Sequence, residues 1–304
     1  MSAPPPAEAA AARMPGTRFR TDGGTRFREL GFRALLLGCL GLALLTLVVL
    51  LADVFVDGIP QLSLAFFTET PSRIDPSSSG IAPAIMGTLY LIAVCAAFII
   101  PVGVATAVYL EEYADRERWY NRFIEVNIQN LAAVPSIVYG ILGLAFLVRG
   151  PLSLGAVVLA GGLTLGLLVL PVVIVAGREA IRAVPPSIRE GSLALGATQW
   201  QTIWKQVLPA AIPGVATGTI LALSRAIGET APLIVVGAAT FATTASTGLF
   251  DSFSALPIQI FSWAADPQED FKLLAATAII VLMVILLAMN AVAIWLRNKY
   301  EKKW

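Results

Sequence analysis

The chain has 304 residues, of which 57% are hydrophobic and 13% charged, and its net charge is +1. A mean hydropathy of +0.78 excludes an ordinary soluble domain and predicts an all-α, polytopic membrane protein. Histidine is absent and the two cysteines, Cys39 and Cys95, both lie in apolar runs. The sequence therefore predicts neither a metal-binding set nor a disulfide framework.

The N-terminal region combines a polar leader with the first apolar run. Residues 1–32 are rich in Ala, Pro and Arg and are predicted to form a disordered cytoplasmic extension. A cleaved signal peptide reaching to about residue 55 is the alternative. It is disfavoured because the basic leader is long, the apolar run exceeds a signal core, and no small-x-small cleavage site follows it.

Six apolar segments are long enough to cross about 30 Å of hydrocarbon, which takes roughly 20 helical residues. They cover about residues 33–55, 84–110, 127–148, 152–177, 210–240 and 273–297. We expect one permease-like transmembrane domain over 33–297, followed by a cytoplasmic tail at 298–304. Only Arg149-Gly150-Pro151 separates the third and fourth segments, so a single re-entrant hairpin is the alternative there.

The distribution of charge predicts the orientation of the chain. Lys and Arg collect in the N-terminal segment, the second-to-third connection, the fourth-to-fifth region and the tail, whereas the opposite connections carry mainly Asp and Glu. Short cytoplasmic loops are enriched in Lys and Arg. Six spans with both termini in the cytoplasm fit this asymmetry.

Two longer connections, 56–83 and 241–272, lie on the predicted outer side. The second contains Phe253, Ile258, Phe261 and Trp263, which indicate a short interfacial helix. These connections either rest on the membrane as linkers or form a docking platform for an extracytoplasmic binding protein.

Between the fourth and fifth spans, residues 190–209 form an amphipathic stretch, here called the EAA-like segment. Glu190, Gly196, Leu208 and Pro209 match the spacing E-A-A-x3-G-x9-I-x-L-P, while Gly191-Ser192 replace the two alanines and Gln206 the isoleucine. The segment resembles the EAA loop of ABC importer permeases. That resemblance implies a type I importer permease fold and a coupling helix over about 187–204, seated in a separate ATPase subunit, where the glycine allows close approach. The implied contact residues are Glu190, Gly191, Ala194, Leu195, Gly196 and Ala197.

The fifth span carries two charges, Arg225 and Glu229. A charge in the middle of a bilayer costs on the order of 2.5 to 3.5 kcal/mol on insertion scales, so it needs a partner or a function. Residues four apart share a helical face, so the two can pair. They form either a structural ion pair or a site on the translocation path. In the second case the guanidinium binds two oxygens of a tetrahedral oxyanion, while Glu229 holds the arginine or accepts a proton from phosphate.

Joined with the EAA-like segment, the sequence Ser224-Arg225-Ala226-Ile227-Gly228-Glu229-Thr230 resembles the permeases of phosphate ABC importers, of the PstA type, over about residues 81–297. In that family arginines at the positions of Arg225 and Arg178 are associated with phosphate transport, and Ser224 and Thr230 are further candidate path residues. Arg178 is equally well explained as a positive-inside residue at the end of span four.

The resemblance also implies partners in a prokaryotic cytoplasmic membrane. They are a second, PstC-like permease, two PstB-like ATPase subunits and a PstS-like extracytoplasmic phosphate-binding protein. No lysine in the chain follows a glycine, so there is no P-loop, and ATP and Mg²⁺ are expected on the partner ATPase. This chain is predicted to hold no cofactor and to have no enzymatic activity.

Three alternatives remain at this point. An ABC permease for sulfate or molybdate shares the same kind of loop. An ion-coupled secondary transporter uses Glu229 as its proton-coupling carboxylate and needs no ATPase. A non-transporting scaffold or sensor tolerates the neutralisation of Arg225.

Overall fold

The computed structural model describes residues 23–72, 74–115, 117–238 and 246–300. The disorder predicted for residues 1–22 and the end of the predicted tail, 301–304, lie outside the described residues. By its internal contacts the chain falls into two units, Met1–Asp53 and Val54–Trp304. All regular elements in the described ranges are helical, which confirms the all-α class.

The first helix, α1, covers Gly23–Gly58. The predicted boundary at residue 32 therefore falls inside a helix. Its apolar side chains between Leu30 and Leu50 are exposed. At ~1.5 Å per residue, α1 is long enough to cross a bilayer.

Eleven further helices follow among the described residues. They are α2 (Leu64–Thr68), α3 (Ala82–Val108), α4 (Trp119–Ala132), α5 (Ser136–Gly143), α6 (Val158–Arg182), α7 (Pro186–Ala194), α8 (Gln199–Thr202), α9 (Leu208–Gly228), α10 (Ala231–Val236), α11 (Leu256–Ala264) and α12 (Glu269–Tyr300). Three of them continue into π-helical turns, α3 into Tyr109–Tyr113, α5 into Leu144–Val148 and α8 into Ile203–Val207.

Five stretches of the described chain are long and apolar enough to cross a membrane as single helices. They are Arg28–Gln61, Ala82–Tyr113, Val158–Arg182, Gln199–Gly228 and Glu269–Lys299. The sixth predicted span is a pair of helices, Trp119–Ala132 and Ser136–Val148, bent by 107°. The span predicted over 127–148 is thus broken into two helices, because Pro135 disfavours helical backbone in the residue before it.

Helix α6 lies at the centre of the bundle and packs against α3 and α9. A Cβ added at Gly162 would lie 2.6 Å from Val94 Cγ1, and one added at Gly166 would lie 2.7 Å from Phe98 Cδ1, both on α3. Small residues let helix backbones approach closely in a membrane, where apolar burial gives little drive for association. The close approach of these helices thus depends on the glycines of α6.

The fifth span, predicted over 210–240, ends earlier than expected, and its helical run Gln199–Gly228 also starts earlier. Helix α9 ends at Gly228, Glu229 is extended, and α10 starts at Ala231. Pro232 has no N–H to donate to the carbonyl of Gly228, so a continuous helix would lose a hydrogen bond and clash with the proline ring. The α10 backbone packs on α5, where a Cβ at Gly140 would lie 2.7 Å from Pro232 Cα.

The helix expected in the second outer connection forms as α11, but it is not a surface helix. Phe253, which precedes α11, and Ile258 and Trp263 within it are fully buried, while Ile260, also expected in this helix, is half-buried and Phe261 is exposed. The backbone N–H of Leu256 donates to Thr88 Oγ1 on α3 at 2.9 Å. The interfacial prediction is wrong because Phe253 and Trp263 fill the core between helices.

The connection before α11 also caps α6. The first amides of α6, at Val158 and Leu159, donate to the carbonyls of Asp251 and Leu249 at 3.0 and 2.9 Å. Helix N-termini leave such amides without partners inside the helix. Hydrogen bonds from the backbone and hydroxyl of Thr247 lower the pKa of the Asp251 carboxyl and keep this turn closed.

Replacing Gly87 on α3 with alanine is expected to destabilise the protein, because an added Cβ would overlap the carbonyl oxygen of Ser254. Overpacking of this kind costs about 1–3 kcal/mol. Thermal unfolding of the detergent-solubilised protein should show a lower Tm. The matched control is Gly41→Ala on α1, where nothing lies within 4 Å of the added Cβ. Equal Tm values for both variants would contradict the packing described for α3.

Candidate functional site

The EAA-like segment folds as a helix, a turn and a second helix. Helix α7 ends at Ala194, and Gly196 follows with φ of +83°. The N–H of Gly196 donates to Leu193 O at 2.9 Å and that of Ala197 to Ser192 O at 3.2 Å, which closes a helix-ending turn. The continuous coupling helix expected over 187–204 is therefore interrupted, because Gly196 adopts a left-handed conformation that favours glycine.

The role of Gly196 within this chain is conformational. An added Cβ would meet nothing within 4 Å, so no described neighbour requires a small residue there. The close approach to a partner that the resemblance implies stays a prediction. After the turn, a capping box between Thr198 and Gln201 starts α8.

The EAA-like segment exposes apolar surface. Leu195 is 91% exposed, and Trp200 and Trp204, which pack edge to face, are 60% and 53% exposed. The implied contact residues Glu190, Gly191, Ala194, Leu195 and Gly196 are all exposed, and Ala197 is half-buried. Contiguous exposed apolar surface is typical of interaction sites, so the segment is available to a partner.

A half-buried arginine, Arg189, attaches this segment to the membrane helices. Arg189 of α7 donates to Glu112 Oε1 through Nε at 3.0 Å and Nη2 at 2.8 Å. It also donates to the carbonyls of Val184 at 2.6 Å and Ile181 at 2.8 Å. Sequence reasoning counted Arg189 only as an orientation signal. The available signal was the pair Glu111-Glu112 at the end of an apolar span, which needs cationic partners.

Arg178 lies in a cluster of charges at the end of α6. Its Nε donates to Glu111 Oε1 and its Nη2 to Glu125 Oε1, both at 2.8 Å. Arg182 Nη2 donates to the same Glu111 oxygen at 2.8 Å. The Arg178 side chain is 10% exposed and that of Glu111 is 4% exposed. This arrangement ties α6 to α3 and α4, and the transport role implied for Arg178 stays a prediction.

Arg225 and Glu229 lie within contact distance. Arg225 Nε donates to Glu229 Oε1 at 3.2 Å, and the side chains are 46% and 19% exposed. Arg225 belongs to the last turn of α9, and its predicted position in the middle of the bilayer stays a prediction. A cation in the last turn is favoured by the helix dipole. The guanidinium is accessible, and among the described residues Glu229 is its hydrogen-bonding partner.

The two other candidate path residues have different surroundings. Ser224 Oγ donates to Ile220 O at 2.8 Å and lies 2.6 Å from Asn290 Oδ1, so it faces α12. Thr230 precedes α10 and makes no side-chain capping bond. Asn290 was missed, although an asparagine inside an apolar span is a recognisable signal.

The structure does not bring Arg178 and Arg225 together. Gly214 packs on Ala180 and Gly218 on Ala176, so α9 and α6 run antiparallel. In this register Arg225 lies level with position 169 of α6, nine residues from Arg178. At ~1.5 Å per residue, the backbones of the two arginines are therefore about 13 Å apart along the helix axis. The two side chains also have different partners, Glu111 and Glu125 for Arg178 and Glu229 for Arg225.

Long apolar helices, with two short helices and a turn exposed between α6 and α9, define a polytopic membrane protein. Residues 99–303 match the family described as binding-protein-dependent transport system inner membrane component, and the chain belongs to this family. It is therefore a subunit of an ABC importer, an inner-membrane component whose transport depends on a binding protein.

Individual relatives support the same assignment. The chain is 32% identical to the probable ABC transporter permease protein YqgI of Bacillus subtilis, over 87% of this chain and 93% of that one. It is 34% identical to phosphate transport system permease protein PstA 1 of Mycobacterium tuberculosis, over 72% and 71%. It is 32% identical to phosphate transport system permease protein PstA of Yersinia pestis, over 81% and 82%.

Solved structures confirm the fold of an ABC importer permease. A bacterial alginate ABC transporter, in complex with an alginate-bound periplasmic protein, matches with a TM-score of 0.68 and 16% identity, covering 91% of this chain and 96% of that one. The inward-facing MetNI methionine ABC transporter matches with a TM-score of 0.59 and 16% identity, covering 73% and 98%.

Proposed function

We propose that this chain is the permease subunit of an ATP-driven phosphate importer and forms half of its translocation path. The observation that carries the proposal is the accessible guanidinium of Arg225, 46% exposed at the end of an apolar helix. The relatives named as phosphate transport permeases, at 32–34% identity, support phosphate as the substrate.

Arg225 is suited to bind a tetrahedral oxyanion. Its described hydrogen bond uses Nε, so among the described hydrogen bonds the two Nη groups remain available to an anion. A planar guanidinium donates two parallel hydrogen bonds to an oxyanion and keeps its charge when it is desolvated. Glu229, at 3.2 Å, orients the arginine. Its carboxylate can also accept a hydrogen bond from the hydroxyl of HPO₄²⁻, which sulfate lacks, and so favours phosphate.

The partners supply energy and substrate. A PstC-like permease completes the path, two PstB-like subunits bind ATP and Mg²⁺, and a PstS-like protein delivers phosphate from outside, while this chain needs no cofactor and catalyses no reaction. Both termini lie in the cytoplasm, and the ATPase contacts the exposed surface around Leu195. Closure of the ATPases moves the membrane helices as rigid bodies and switches the path between its two sides.

Radiolabelled phosphate uptake tests this proposal. Cells depleted of the chain should lose ATP-dependent uptake at low external phosphate, and the wild-type chain should restore it. Sulfate and molybdate uptake are measured in parallel, with and without a protonophore. Restoration of sulfate or molybdate uptake alone would replace phosphate by that oxyanion. Uptake that needs the proton gradient but no ATPase would indicate a secondary transporter.

A further inference from the structure

Glu112 lies where three parts of the chain meet. It belongs to the π-helical turn Tyr109–Tyr113 at the end of α3. Its carboxylate accepts from Arg189 of α7, and its backbone carbonyl accepts from Gln199 Nε2 of α8 at 2.7 Å. Side chains of α7 and of α8, the two helices of the EAA-like segment, therefore both donate hydrogen bonds to Glu112 at the end of α3.

Arg189 extends this contact to α6. The guanidinium that binds Glu112 also donates to the carbonyls of Ile181 and Val184, where α6 ends. Carbonyls at a helix C-terminus have no partner within the helix, and a cation is favourable there. One side chain thus joins the ends of α3 and α6. A lysine is a point charge without this planar fork and cannot hold all three acceptors in the same geometry.

Burial distinguishes this pair from ordinary surface pairs. The Arg189 side chain is 23% exposed and that of Glu112 is 10% exposed. The pair Arg118–Asp115, in the same region of the sequence, is 61% and 54% exposed. Exposed pairs contribute little, whereas breaking a largely buried pair leaves a charge without compensation.

We propose that Arg189 and Glu112 are positioning residues that couple the EAA-like segment to α3 and α6 together. Force applied to α7 then moves the ends of both membrane helices as one body. Without the pair, the covalent link to α6 remains, as does apolar packing around Ile188, but the charged contact with α3 is lost. This inference rests on the proposed function, because it assigns the pair to the transmission of ATPase movement.

The test uses the complete transporter, purified with its partner subunits and reconstituted into vesicles. Phosphate uptake and ATP hydrolysis are measured on the same preparation for wild type, Arg189→Gln, Arg189→Lys, Glu112→Gln and the double Gln variant. We expect Arg189→Gln to lower the phosphate transported per ATP hydrolysed by about 5-fold or more, the lower end of typical coupling between sites. ATP hydrolysis should continue in this variant. The phosphate transported per ATP by Arg189→Lys should lie between the values for Arg189→Gln and wild type.

Two features of the result identify a shared contact. The double variant should lose no more coupling than Arg189→Gln alone, because residues that act through one contact are not additive. Arg118→Gln, the matched exposed arginine, should leave coupling unchanged. If Arg189→Gln does not assemble, Glu112→Gln decides the question, because it keeps the side-chain shape and the backbone carbonyl that Gln199 binds.

The proposal is overturned if the Arg189 and Glu112 variants transport as much phosphate per ATP as wild type, or if their losses add. A wild-type complex that transports no phosphate would instead overturn the proposed function. The two failures are therefore distinguishable in one experiment.

Discussion

Replacing Arg225 with glutamine is expected to abolish phosphate uptake while the protein still reaches the membrane in normal amount. A hydrogen bond to a charged group contributes about 1.5–3 kcal/mol, so losing one lowers uptake by roughly tenfold or more, and losing two lowers it further. Folding is spared because an i,i+4 pair with a 46% exposed arginine contributes little to stability. Uptake and membrane abundance are measured in the same depleted cells.

Arg149→Gln is the matched control, since Arg149 is exposed and lies outside the apolar helices. It should retain both uptake and abundance. Arg225→Lys should retain a fraction of uptake, because the positive charge remains but the planar group that donates two parallel hydrogen bonds to one anion is lost. Normal uptake in Arg225→Gln would show that Arg225 and Glu229 form only a structural pair, or that the chain is a scaffold.

Replacing Arg178 with methionine is expected to act at the level of folding. The change removes both the contact to Glu111, which is 4% exposed, and the contact to Glu125. Arg182 still contacts Glu111 after the change, so the cost lies below the about 3–5 kcal/mol of a buried ion pair that is broken completely from one side. Membrane abundance and the Tm of the solubilised protein should both fall.

Arg182→Met gives the comparison, because its side chain is 48% exposed and Arg178 still holds Glu111 after the change. Its effect on Tm should be clearly smaller. A contrary outcome is also informative. Normal abundance and Tm in Arg178→Met, together with lost uptake, would place Arg178 on the path, as the family resemblance implies.

The two arginines show what the sequence could and could not predict. The pairing of Arg225 with Glu229 depends on residues four apart on one helix, so local spacing indicated it. The contacts of Arg178 and Arg189 join residues 53 to 77 positions apart. Spacing within a segment carries no information about such contacts. From the sequence, Arg189 was recognised only as an orienting charge, and Arg178 either as an orienting charge or, through the family resemblance, as a transport residue.

The same distinction applies to the helices. Five long spans followed from local hydropathy, which is a property of each segment alone. The bend before Ser136 and the end of α9 at Gly228 arise where a proline interrupts an apolar run, which hydropathy does not register. The burial of α11 depends on which helices surround it, as the hydrogen bond from Leu256 to Thr88 shows.

The carboxylate of Glu229 has a further consequence for an arriving anion. It is tethered four residues from Arg225 and already occupies one edge of the guanidinium at 3.2 Å. A tethered group acts at a high effective concentration, so it is an internal competitor of any anion that binds there. We therefore expect short residence times at this position. Weak binding is suited to a translocation path, because the path must release every anion that it binds. Capture of the anion from dilute solution then depends on a separate protein that binds it tightly.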